Sequence, residues 1–320
     1  MKIVAPVLEP ATQKFIDGLV AAGGSPLYTL SPDDARKVLT SVQATPVTKL
    51  PASIEDTTFP VGPTGKVAIR IVRPQGVKGI LPVVMHIHGG GWILGDKNTH
   101  DRMTRDIAVG SNAAVVSVDY DRSPEAKYPV AIEQAYAATK YVAEHGKQLN
   151  VDPSHLAILG DSVGGNMAAA VSLMAKERGG PKISFQVLLY PVTDANFETE
   201  SYKTFADGPW LTKKAMEWFW DAYLPDVSKR KEITATPLNA SLDKLRGLPD
   251  ALVAVDENDV LRDEGEAYAC KLSQAGVRVT SVRYNGTIHD FVLLNPITNT
   301  PAPRAAIQQA NDALKAALRK

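Results

Sequence analysis

The 320-residue sequence predicts an α/β protein, with a mostly parallel central sheet, helices on both faces and a helical cap. Two observations carry this. From Lys66 onward, short runs of β-branched and aliphatic residues alternate with helical segments, as in parallel sheets covered on both sides. Two stretches, one N-terminal and one at about residues 194–240, break that rhythm and read as additions to it.

Taken in chain order, residues 1–55 hold helical patches at 12–20 and 32–40, interrupted by Gly23-Gly24 and several prolines. We read them as the N-terminal part of the cap, and residues 56–320 as the main α/β domain. Residues 68–72 alternate like a half-exposed strand, whereas 82–87 and 114–118 are near-continuous and predict buried strands. Strands follow at 156–159, 185–189, 251–255 and 277–284, with helices at 131–145, 165–177, 263–275 and 304–319. About sixty residues separate the strands ending near Tyr190 and beginning near Ala251, and they carry Trp210, Trp218, Phe219, Trp220 and Tyr223. So long a connection predicts a functional insertion, placed where open α/β sheets bind ligands.

Lys plus Arg and Asp plus Glu both number 35, so no net charge draws the chain to nucleic acid or an anionic membrane. Neither is an expected partner. The apolar run after Lys2 is broken by Pro6, Glu9 and Pro10, and no stretch has the roughly 20 apolar residues of a span. The expectation is a cytoplasmic protein without a stable membrane anchor. The single cysteine, Cys270, excludes an internal disulfide and is expected to be a small buried hydrophobe of a helix.

The chemistry-bearing motifs sit at strand ends. Gly160-Asp161-Ser162-Val163-Gly164-Gly165 follows a strand and opens a helix, the setting in which G-x-S-x-G exposes a nucleophilic serine on a strained turn. Gly160 and Gly164 let strand and helix pass closely, and the helix N-terminus favours an oxyanion near Ser162. His86-Ile87-His88-Gly89-Gly90-Gly91-Trp92 ends another strand, and its consecutive glycines offer backbone N–H groups to a developing oxyanion. Gly90, Gly91 and Val163 are the expected donors. His-x-His supplies no third metal ligand, and a phosphate loop would need Lys-Ser/Thr where Trp92-Ile93 stands. No metal or organic cofactor is implied.

Serine needs a base. Of the six histidines only His289 follows Ser162, as the order nucleophile, acid, histidine requires. For the acid, Asp256, Glu257, Asp259, Asp263 and Glu264 all follow one strand, and spacing does not choose among them. Those unused are expected to be solvated or, for Asp263 and Glu264, charges of a helix N-terminus.

From about Leu81 to Phe291 these motifs resemble the bacterial hormone-sensitive lipase family of carboxylesterases, within the α/β-hydrolase fold. The resemblance rests on His88-Gly89-Gly90-Gly91-Trp92, the segment 119–125, the Ser162 elbow, Asp259-Val260-Leu261-Arg262-Asp263-Glu264-Gly265 and Thr287-Ile288-His289-Asp290-Phe291. It implies Asp259 as the catalytic acid, a cap helix around Trp210 and Trp218, and a catalytic domain of 56–320 with a cap insertion at 194–240. Family members often form dimers, so a homodimer is among the expectations. The sequence departs from the family at Val163, Val260, Asp290 and 121–123; Asp290 would raise the basicity of His289 or solvate its loop, and Val163 would narrow the acyl pocket. The implied activity is hydrolysis of a small-molecule ester of short or medium acyl chain, with Trp92, Asp161, Trp210 and Trp218 as candidate pocket residues. Hydrolysis of another acyl bond (amide, lactone or carbamate) would use the same parts. A non-catalytic small-ligand receptor of this fold would lack the histidine.

Overall fold

A computed structural model describes residues 6–319. The leader reading of the N-terminal run falls partly on residues 1–5, outside the described ones. Eight strands are β1 (Ala52–Phe59), β2 (Val67–Pro74), β3 (Leu81–Ile87), β4 (Ala114–Asp119), β5 (Val151–Asp161), β6 (Phe185–Leu189), β7 (Asp250–Asn258) and β8 (Val279–Ile288). The helices are α1 (Pro10–Ala22), α2 (Pro32–Gln43), α3 (Asp101–Ser111), α4 (Val130–His145), α5 (Val163–Glu177), α6 (Glu200–Thr204), α7 (Lys213–Tyr223), α8 (Leu242–Leu245), α9 (Arg262–Gln274) and α10 (Pro301–Leu318). The sheet order is β1-β2-β4-β3-β5-β6-β7-β8; only β2 runs antiparallel to its neighbours. The predicted α/β-hydrolase architecture, mostly parallel with helices on both faces, is the observed one.

Strand periodicity divides the interior in two. Val83, Met85 and Ile87 of β3 face a core shared with α4, α5, α7 and α9, whereas Val84 faces one shared with α3 and α10. Helix starts follow local chemistry: Pro32 opens α2 after Ser31, whose hydroxyl accepts from Asp34 N–H, and Thr212 caps α7 by accepting from Ala215 N–H.

Four elements escaped the sequence reading: β1, α3 and the short helices α6 and α8. β1 is a polar edge strand with few apolar residues, visible only through its pairing with β2. α3 buries Arg102 and Asp106 as well as Met103 and Ile107, so charge obscured its apolar stripe. Cys270 is exposed, a correction: α9 turns Gly265, Tyr268, Ala269 and Leu272 inward, and position 270 lies on the other side. Among the described residues no helix is long and apolar enough to cross a membrane.

Candidate active site

The C-terminal ends of β3, β5, β7 and β8 deliver the motif residues to one edge of the sheet. Ser162 follows β5 as the N-cap of α5, with φ 55° and ψ −122°, a conformation a side chain adopts only when its surroundings enforce it. Enforcement is visible: Ser162 N–H donates to Leu189 C=O (2.8 Å), and its own C=O accepts from Asn166 and Val192 N–H (3.1 and 3.2 Å). A Cβ on Gly160 would run into the backbone of Gly164, and one on Gly164 into the Ile87 carbonyl, so the close pass admits only glycine.

His289 lies just past β8. Its Nε2 is 2.9 Å from Ser162 Oγ and its Nδ1 2.8 Å from Asp259 Oδ2. With Nδ1–H donating to Asp259, Nε2 is free to accept the serine proton. Asp259 also accepts from Leu261 N–H (3.1 Å). Burial alone would lower the pKa of His289, but the carboxylates of Asp259 and Asp290 outweigh it and raise it to about 9. Asp290 Oδ1 is 3.5 Å from Nε2, and its Oδ2 accepts from Trp210 Nε1–H (3.0 Å). Asp290 is thus turned into the site instead of solvating its loop.

Behind the glycine run lies a buried polar cluster. Asp161 is fully buried; one oxygen is 3.2 Å from His100 Nε2, the other accepts from Gly89 N–H (3.2 Å) and is 3.6 Å from His86 Nε2. Burial pushes the Asp161 pKa up, yet the charge of His100 holds it far below the carboxylate range, while His100 is raised in return. His86 stays low through burial and bonds Ser117 through Nδ1 (2.9 Å). His88 is pushed down to about 3 by burial and then by His100; its Nδ1–H donates to Gly89 C=O (2.8 Å) and its ring stacks on Tyr120. The third imidazole beside His86 and His88 is His100, supplied by the turn before α3, which strand spacing does not reveal.

A cavity of about 210 Å³ opens onto Ser162 and His289. Gly90 and Gly91 form part of its wall, with Leu27 and Tyr28 from the N-terminal region, and Met216 and Phe219 from α7. Gly91 has φ 61°, and a Cβ there would strike the Phe219 ring. Trp210 lines the cavity; Trp92, Asp161 and Trp218 do not, which corrects three pocket assignments. Trp92 stacks on Tyr223 (4.0 Å, 5° between planes) in the core beneath α7, and the Trp218 ring lies 5.2 Å from that of Phe219. The Val163 side chain is buried and is not part of the cavity wall, so it does not narrow the cavity.

Other residues escaped sequence reasoning or were misplaced by it. Asp256 is fully buried, its Oδ2 3.8 Å from His289 Nδ1, where a solvated charge was expected. Glu264 is also buried; its Oε1 accepts from Thr193 and Asp194 N–H (2.6 and 3.1 Å), tying α9 to the segment after β6. Arg102 donates to the carbonyls of Val292 and Leu293 (2.6 and 2.7 Å), and Gln43 of α2 donates to Leu293 C=O (3.1 Å), clamping the segment that carries His289. Asp256, Asp259 and His289 each bring one ligand-type atom within 4.8 Å of the others. A cation there would displace the Nδ1–H that faces Asp259.

Comparison with known proteins agrees with this architecture. Residues 84–293 match the α/β-hydrolase-fold family. The chain is 36% identical to the carboxylesterase NlhH of Mycobacterium tuberculosis over 317 residues, 98% of this chain and 96% of that one. A thermostable esterase from Pseudomonas putida superposes with a TM-score of 0.96 at 56% identity, over 98% of this chain and 99% of that one. A fungal esterase from Rhizomucor miehei does so at 0.91 and 41%, over 98% of each. The chain belongs to the α/β-hydrolase-fold family of carboxylic ester hydrolases.

Proposed function

We propose that this chain hydrolyses short- to medium-chain acyl esters of small molecules through an acyl-Ser162 intermediate. The observation that carries the reading is the unbroken relay Ser162 Oγ, His289 Nε2, His289 Nδ1, Asp259 Oδ2, with links of 2.9 and 2.8 Å, opening onto an apolar cavity. His289 accepts the Ser162 proton as Oγ attacks the ester carbonyl, and Asp259 holds the tautomer and the resulting imidazolium. The backbone N–H groups of Gly90, Gly91 and Val163 receive the oxyanion. Two of these residues line the cavity, and Val163 is the first residue of α5, where an N–H has no partner within the helix. Each such donor is worth roughly 10²–10³ in turnover. His289 then passes the proton to the departing alcohol, and water, activated in the same way, frees Ser162.

In this reading the described residues ahead of β1, whose first residues (52–55) belong to the sheet and not to the cap, and the insertion at 194–240 form a cap that closes the cavity over Ser162. The cavity measures about 210 Å³ and its wall is mostly apolar. That suits a short acyl chain better than a lipid surface. Steady-state hydrolysis of p-nitrophenyl esters by wild type and Ser162→Ala tests the reading. Turnover should fall by roughly 10⁴-fold or more; undiminished turnover in the variant would end it.

A further inference from the structure

Two carboxylates meet the imidazole, and the relay uses only one of them. Asp256 lies near the end of β7, where pairing with β8 slips between Asp256 and Asn258. It is fully buried, and neither of its oxygens accepts a hydrogen bond among the described residues. Asp259 has two donors, His289 Nδ1–H and Leu261 N–H. An oxygen of Asp256 and one of Asp259 lie within 4.8 Å of each other, and two negative charges that close do not persist together. The carboxylate with donors keeps the charge. The one without them keeps a proton, because a buried anion lacking any donor is prohibitively costly.

We propose that Asp256 is a neutral carboxylic acid that donates its O–H to Asp259, and so positions that carboxylate against His289. The inference rests on the relay proposed above. Burial, followed by the charge of Asp259, pushes the Asp256 carboxyl well above the usual range. The titratable groups facing Asp256 are Asp259 after β7, His289 and Asp290 after β8, and Tyr190 after β6, whose ring meets His289 edge-on at 5.0 Å. None but the imidazole can supply a positive charge. A neutral Asp256 therefore adds an oriented donor to the relay without adding to the negative field that sets the basicity of His289.

Asp256→Asn keeps a donor at nearly the same volume. Its kcat/KM should stay within about threefold of wild type, with the acid limb of the pH profile unmoved. Asp256→Ala removes the donor, and kcat should fall about tenfold at little change in KM. A shift of the acid limb to lower pH by about a pH unit in Asp256→Asn would mean that wild-type Asp256 is ionised, and would overturn the proposal. Infrared difference spectra at neutral pH should show a protonated-carboxyl band in wild type that is missing in Asp256→Asn; no such band counts against it. If Asp256→Asn does not fold, carbon-13 titration of wild-type aspartate carboxyls replaces it: one aspartate still protonated at neutral pH supports the proposal, none refutes it. Neither spectroscopic readout needs turnover, so loss of the acyl-serine reading and loss of this one are separable.

Discussion

At the scale of single residues, the acidity of His289 has a consequence for working pH. Its conjugate acid persists to about pH 9, and an imidazolium cannot accept the serine proton. kcat/KM should therefore climb as pH rises toward about 9, measured as a pH–rate profile with a neutral ester. Because the folded value lies above the ordinary 6.5, the folded state binds this proton more tightly than the unfolded chain. The resulting stabilisation is complete below about 6.5 and disappears as pH passes through about 9. Asp290, unlike Asp256, accepts a hydrogen bond and faces Nε2, so it contributes charge. Asp290→Asn keeps an acceptor for Trp210 and removes that charge. The acid limb should move to lower pH by about one unit, whereas Asp256→Asn leaves it in place. Equal behaviour of the two variants would contradict this division of roles.

At the scale of elements, the histidine segment is held by helices far away in sequence. Arg102 of α3 serves two carbonyls just past His289, reaches Asn295 Oδ1 (3.2 Å), and pairs with buried Asp106 (3.0 Å). Arg102→Met would take the donor from the Val292 carbonyl and leave Asp106 with Arg304 alone, 3.7 Å away, at a cost of about 3–5 kcal/mol. Thermal unfolding should show a Tm lower by several degrees, and kcat should fall as His289 loses its seat. A Tm within one degree of wild type would mean that the clamp is redundant with Gln43. Glu264 does similar work for the segment after β6, joining α9 to Thr193 and Asp194.

Across the whole molecule, the cavity exists because three parts of the chain converge on it. The sheet edge supplies Ser162 and His289, the N-terminal region Leu27 and Tyr28, and α7 Met216 and Phe219. Its volume should set acyl-chain preference, with acetate and butyrate esters turned over better than decanoate. Phe219→Ala removes the ring that abuts Gly91 and should shift the optimum to longer acyl groups, at a stability cost of about 3–5 kcal/mol. A p-nitrophenyl ester series with both proteins checks this; an unchanged chain-length profile would remove Phe219 from the acyl-binding wall. The aromatic stack of Trp92 on Tyr223 anchors α7 to the turn after the glycine run. A change in α7 should therefore be felt at the glycine run after β3.

The linear sequence determined the features that depend on neighbours in the chain. Strand–helix alternation gave the α/β class, because a strand buried on both faces must be apolar at every position. The Ser162 elbow and the glycine run after β3 were legible because their backbone geometry restricts residue choice locally. His289 was reached by order, and Asp259 only through resemblance. Tertiary structure alone decided what depends on partners distant in sequence. It moved Asp256 from solvent to the interior, buried Glu264 at the helix N-terminus where it was expected, brought His100 against His86 and Asp161, and aimed Asp290 at the imidazole. It also turned Trp92 and Trp218 away from the cavity and kept Trp210 in it. Spacing along a chain reports which face a residue occupies, whereas the cost of burying a charge is offset by groups that only the folded sheet brings within reach.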